Sequence, residues 1–234
     1  MLQIIRGKQA NDQALMEPIW RYRHRRFVDE LGWEAVRRAD ECERDAFDTS
    51  HTVHLVLTHG HDIIGYSRLL PTNLPHLLSE IYPELLQGRP YPCGPRVFEW
   101  GRCAAEKVAP RIDNVAAVDV LMTGVLEYLV HVGAEAVIIE AHPKLVEMMK
   151  GRGYPVQYLC KPALYNGETI VAAAVYPSAT VLQRHRLAYG ITQSLLPPNL
   201  QRGLHRVRER HLHHQPNWKD SIRGAAQEIT DGCS

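Results

Sequence analysis

The sequence predicts a mixed α/β fold: a twisted sheet in a three-layer sandwich with helices on both faces. Helix-spaced apolar segments alternate with short β-rich apolar runs. Gly and Pro punctuate the joins. The 234-residue chain is 45% hydrophobic and 23% charged, enough for one sizeable core.

The elements follow in order. Residues 2–6 are short and apolar, a first strand. Residues 11–30 place Leu15, Ile19, Tyr22 and Phe27 at helical intervals, predicting one or two helices that Gly32-Trp33 breaks. Residues 40–50 form a polar loop. Residues 54–58 and 63–70 read as strands joined at Gly60, a hairpin. A short helix is expected over 77–86 and a Gly/Pro-rich loop over 88–95. Residues 97–103 are a third strand, 115–133 a strong helix, 136–141 a strand, 142–151 a helix ended by Gly-Arg-Gly, and 169–175 a last buried strand. From Val181 the composition shifts. Between Gln183 and His214 there are six arginines, five histidines and one acid, Glu209. The expectation is a domain over 1–180 and a basic, His-rich extension over 181–234, read as a solvated helix or tail.

Composition excludes several classes. A net charge of +1 gives no global case for nucleic acid or an anionic membrane. No apolar run reaches the ~20 residues of a membrane span, and residues 1–6 lack signal-peptide features. Five widely spaced cysteines suggest reduced thiols and a cytoplasmic location. The thirteen histidines are scattered, so no metal site is expected.

Charged residues recur inside apolar segments. Arg23 shares a helix face with Phe27, and Trp33 follows the break. Glu43, Asp45 and Asp48 crowd one loop. Arg68 sits in an apolar strand. Glu99 and Arg102 lie three apart, on opposite faces of a regular strand unless a bulge at Gly101 brings them together. Buried charges need partners. One reading is an ion-pair network that pins the helices to the sheet. The other is a pocket for a zwitterionic, cationic substrate.

The linked pattern is Arg-x3-Phe-x5-Trp, Glu-x-Asp-x2-Asp, a strand ending Arg-Leu-Leu-Pro-Thr, then Glu-x2-Arg. It resembles the LuxI-type acyl-homoserine lactone synthases over about residues 20–105, with a consistent layout to about 176. The resemblance implies a fold similar to the N-acetyltransferase superfamily. It also implies two substrates, S-adenosylmethionine and an acyl thioester on acyl carrier protein or coenzyme A, with no separate cofactor. The methionyl amine attacks the thioester; its carboxylate then displaces methylthioadenosine to close a lactone, a quorum-sensing signal.

On this reading Asp45 and Asp48 hold the cationic parts of the substrate, with Glu43 beside them. Arg23 or Arg68 holds the carboxylate, and Phe27 and Trp33 face the sulfonium and adenine. Glu99 is the candidate base, oriented by Arg102, which also orients Asp48; a backbone carbonyl is the alternative base. Catalysis is thus assigned to Glu99, Arg102 and Asp45, and binding to Arg23, Phe27, Trp33, Glu43, Asp48 and Arg68.

Some features depart from the pattern. Glu41-Cys42 stands where relatives have Gly, and Trp100-Gly101 replaces a smaller polar pair. Val137-Ile138-Ile139 lacks the Thr linked to 3-oxo signals, which favours an unsubstituted, branched or aryl acyl group. Residues 106–114 have no glycine, against a standard acetyl-coenzyme A loop. A basic groove for an acidic carrier protein would draw on Lys144, Lys150, Arg152 and Lys161. The alternatives are an N-acyltransferase acting on another amine, or a binding module whose basic tail docks an acidic partner.

Overall fold

The computed structural model describes residues 1–165 and 167–200. The strands are β1 (Leu2–Ile5), β2 (Val53–His59), β3 (Asp62–Pro71), β4 (Val97–Ala105), β5 (Ala136–Ala141), β6 (Val156–Tyr158), β7 (Ala163–Tyr165) and β8 (Glu168–Val175). The α-helices are α1 (Gln13–Arg23), α2 (Leu77–Glu80), α3 (Ala117–His131), α4 (Pro143–Gly151) and α5 (Ala179–Tyr189). Sheet order is β1-β2-β3-β4-β5-β8-β6, and β7 also pairs with β8. Every pair is antiparallel except β4–β5. The expected mixed sheet with helices on both faces is therefore the fold.

Alternation along β3 sends its side chains to two different cores. Tyr66 faces α1, in a cluster with Ile5, Met16, Ile19, Phe27 and Val56. Gly65 faces α3, within contact of Leu121. α3 lies so close to β1 that a Cβ on Gly124 would sit 2.6 Å from Leu2, which explains a glycine in mid-helix. Leu78, Val97, Ile138 and Ala172 form a further cluster under α2.

α1 begins at Asp12, whose carboxylate accepts from the Ala14 and Leu15 N–H groups. It buries Met16, Ile19, Tyr22 and Arg23, then widens into a π-helical turn over His24–Asp29. That turn buries Arg26 and Phe27 together, and such bulges often mark functional sites. The chain turns away at Gly32 (φ +73°).

Three sequence expectations need correction. The helix expected over 77–86 is α2 followed by a 3-10 turn, Pro83–Leu85. β6 and β7, three residues each, were not anticipated; they are too short for a periodic signal. α5 is docked rather than solvated: His185 is buried against Tyr154 and Tyr189, and Arg186 pairs with buried Glu127. One compact unit runs from Met1 to Pro197. Most of the basic extension lies outside the described residues.

Candidate active site

Three arginines and three carboxylates meet above β3 and β4. Arg23 comes from the last turn of α1, Arg68 from β3, and Arg102 from β4. Glu43, Asp45 and Asp48 come from the 40–50 loop. The loop fixes itself: the Asp45 N–H donates to Asp48 Oδ2 at 2.9 Å, and the Phe47 N–H donates to Asp45 Oδ1 at 3.0 Å. The Glu43 N–H is anchored on the Trp20 carbonyl.

The pairing is reciprocal. Arg23 Nε donates to Glu43 Oε2 at 2.6 Å and Nη1 to Asp48 Oδ1 at 2.8 Å. Arg68 Nη1 donates to Asp45 Oδ1 at 2.7 Å and to Asp48 Oδ1 at 3.0 Å. Arg102 Nη2 donates to Glu43 Oε1 and Asp45 Oδ2, both at 3.2 Å. Arg23, Arg68 and Glu43 are wholly buried, whereas the Asp45 side chain is 17% exposed. Burial opposes ionisation of Glu43 and Asp48. The arginines outweigh it: Arg23 and Arg102 hold Glu43 below the usual carboxylate range, and Arg23 and Arg68 hold Asp48 well below it.

Arg102 is displaced by a bulge. Tyr66 pairs with Ala104 and Arg68 with Gly101, so Ser67 faces two residues, and Arg102 adopts φ +54°. The bulge expected at Gly101 is thus one residue on. It does not bring Arg102 to Glu99: the ion pairs of Arg102 are with Glu43 and Asp45, not with Glu99 or Asp48. Its guanidinium also lies 4.9 Å from the Trp33 ring centroid, and Trp33 stacks on Phe27 at 5.1 Å. Trp33 is 36% exposed and forms the outer wall.

Glu99 is buried on the same sheet face. Its Oε2 and Oε1 accept the Leu77 and Leu78 N–H groups at 2.8 and 2.7 Å, at the start of α2. Trp100 points the other way, donating to Ser67 at 2.6 Å and packing near Tyr154.

Sequence reasoning missed two supports. His54 and Tyr66 lie on the Arg68 face. His54 Nδ1 is 2.7 Å from the Tyr66 hydroxyl, which accepts from Arg23 at 3.3 Å. Burial lowers the His54 pKa to about 4, so it stays neutral. Polar residues in register inside apolar strands were the available signal. Elsewhere, a groove of about 830 Å³ is lined by Arg25, Arg26, Glu30 and Glu106. Arg25 and Arg26 pair with Glu30 and Glu106, so these two cations are committed.

The chain has known relatives in sequence and fold. A family model described as autoinducer synthase matches residues 8–184. The chain belongs to the autoinducer synthase family. Among autoinducer synthases and their relatives, it is 33% identical to the isovaleryl-homoserine lactone synthase of Bradyrhizobium diazoefficiens, over 70% of this chain and 73% of that protein. It is 30% identical to an acyl-homoserine-lactone synthase of Acinetobacter baumannii, over 74% and 99%. A solved autoinducer synthase structure, the CoA-dependent acyl-homoserine lactone synthase BjaI with SAM and isopentyl-CoA, aligns with a TM-score of 0.74 at 29% identity. It covers 87% of this chain and 98% of that one.

Proposed function

We infer that this autoinducer synthase is an acyl-homoserine lactone synthase, an acyltransferase that N-acylates S-adenosylmethionine and closes the lactone with release of methylthioadenosine. The observation that carries this reading is the buried Arg23–Arg68–Arg102 and Glu43–Asp45–Asp48 network, walled by Trp33 and sharing a sheet face with Glu99, in the fold of that family.

The residue roles are part of the proposal. Arg23 Nη2, Arg68 Nε and Nη2, and Arg102 Nε are buried without partners among the described residues. Unfilled buried donors are costly, and a substrate carboxylate is the group that satisfies them. On Arg68 the free Nε and Nη2 form one edge of the guanidinium fork, suited to a bidentate carboxylate. Asp45, the most exposed acid of the network, and Trp33 face the ammonium and sulfonium. Arg102 holds Asp45 and Glu43 in place, and Glu99 accepts the amine proton. Binding the carboxylate beside the sulfonium carbon favours lactone closure by proximity. Oxyanion donors come from β4, whose ladder with β5 stops at Glu99 although both strands continue. Catalysis is assigned to residues 1–180, with the 181–234 extension outside it.

The donor is coenzyme A rather than carrier protein, carrying a small branched acyl group. Two of the four cations that would form a carrier-protein groove are already paired: Lys150 with Glu147, and Arg152 with Asp119. The CoA-dependent and isovaleryl relatives agree. The test is incubation with S-adenosylmethionine and matched acyl-coenzyme A and acyl-carrier-protein panels, with mass detection of lactone and methylthioadenosine. Isovaleryl-homoserine lactone from the coenzyme A ester is expected. No methylthioadenosine with any donor overturns the function; preference for the carrier-protein donor overturns the donor assignment.

A further inference from the structure

The Glu99 face of the sheet holds a fifth carboxyl near the network. Glu140 lies on β5, two residues beyond Ile138, which pairs with Glu99. Residues two apart on a strand share a face, so Glu99 and Glu140 lie on the same side of adjacent strands. Each carboxyl lies within electrostatic reach of the other. Both oxygens of Glu99 also accept backbone N–H groups. Oε1 of Glu140 is buried and meets no N–H or O–H donor among the described residues. Two ionised carboxylates so placed repel; one proton shared between them removes the conflict and fills the missing donor role. Burial, reinforced by Glu99, keeps Glu140 protonated well above the usual carboxylate range.

The position matters as much as the protonation. The β4–β5 ladder ends at Glu99 and Ile138, while the strands run on to Ala105 and Ala141. The carboxyl pair therefore lies where the strands part. On β3, Leu70 pairs with Glu99 and Arg68 with Gly101, so Arg68 shares this face and the pair lies beside the arginine network.

We propose that Glu99 and Glu140 form a proton relay in which Glu99 takes a proton from the attacking amine and Glu140 gives the shared proton to the departing sulfur of the acyl donor. The proposal rests on the thioester acylation argued above. The ammonium first passes one proton to Glu99, so the pair holds two. The amine nitrogen then forms its bond to the thioester carbon, and the C–S bond breaks. The sulfur keeps that electron pair and takes the Glu140 proton, leaving as a neutral thiol. Glu140 is reprotonated from Glu99. The new amide nitrogen loses its second proton to solvent through the pair, so each turnover releases one proton.

An alkyl thiolate, with a thiol pKa near the ~8.5 of free cysteine, gains from a proton as it leaves; a more acidic aryl thiolate does not. The experiment compares wild type and Glu140→Gln in single turnover with S-adenosylmethionine and two donors of one acyl group, the coenzyme A ester and the nitrothiophenyl thioester. The variant is expected to lose about 100-fold on the coenzyme A ester, the scale of general acid catalysis, and less than about threefold on the aryl ester. Equal losses on both donors, or no loss on the coenzyme A ester, overturn the relay. If Glu140→Gln does not fold, Glu140→Asp withdraws the carboxyl by one methylene and the same ratio is read. Wild type that forms no lactone from either donor overturns the functional reading instead.

Discussion

Asp48→Asn tests whether the network is as interlocked as its geometry indicates. Asp48 Oδ1 accepts from both Arg23 and Arg68, and Oδ2 accepts the Asp45 N–H. The network sums three cations and three anions to zero; removing one anion leaves a net positive charge among groups that are almost wholly sealed from solvent. Asn preserves shape but keeps one acceptor oxygen for three donors. Breaking a buried pair by removing one partner costs about 3–5 kcal/mol. In a chain of this size each kcal/mol lowers the melting temperature by about 2–4 °C, so a loss of roughly 6–20 °C is expected. The assay is thermal melting combined with urea unfolding, where the midpoint should fall with an unchanged slope. Glu17→Gln, which opens the exposed Arg21–Glu17 pair, serves as a control and should leave the melting temperature unchanged. A change of less than about 1 kcal/mol for Asp48→Asn, on the scale of a surface pair, would refute the reasoning.

Two further outcomes follow. The folded-state pKa values of Glu43 and Asp48 are depressed, so the folded protein binds fewer protons than the unfolded chain. Their stabilisation is complete above the usual carboxylate range of about 4 and disappears as pH falls through the lower folded values; urea midpoints at pH 7, 5 and 3 should drop steeply at the last step, and a flat series would contradict the network. Trp33→Ala removes the exposed wall over Arg102 and should raise KM for S-adenosylmethionine about tenfold, the scale of a partly desolvated cation–π contact, while leaving the acyl donor's KM unchanged; equal rises for both substrates would move Trp33 out of the methionyl pocket.

Much of the fold was legible because its long elements carry strong periodicity. β3 and α3 are long and apolar, and their positions follow from the sequence. β6 and β7 offer three residues each, too few for any period to show. The π-turn at His24–Asp29 places Arg23 and Phe27 correctly but leaves no signature in an otherwise helical pattern. The charge cluster was visible as acids and bases inside apolar segments, since such residues need partners wherever they sit. Which partners they take was not visible. Arg102 turned toward Glu43 and Asp45 because the bulge rotates its backbone to positive φ, a choice that depends on the register between two strands. Glu140 escaped notice for a similar reason: at the end of an apolar strand it reads as a solvated terminus, and only parallel pairing with β4 sets it against Glu99.

The central claim is that this pocket performs acyl transfer and that Glu99 takes the amine proton. Glu99→Gln tests it most directly. Gln retains the shape, but its amide nitrogen cannot accept from Leu77 or Leu78, so the variant should be less stable by about 1–3 kcal/mol and is assayed well below its melting temperature. Methylthioadenosine release at saturating substrates should fall at least about 100-fold, with S-adenosylmethionine affinity nearly unchanged. Wild-type turnover in the folded variant would contradict the account.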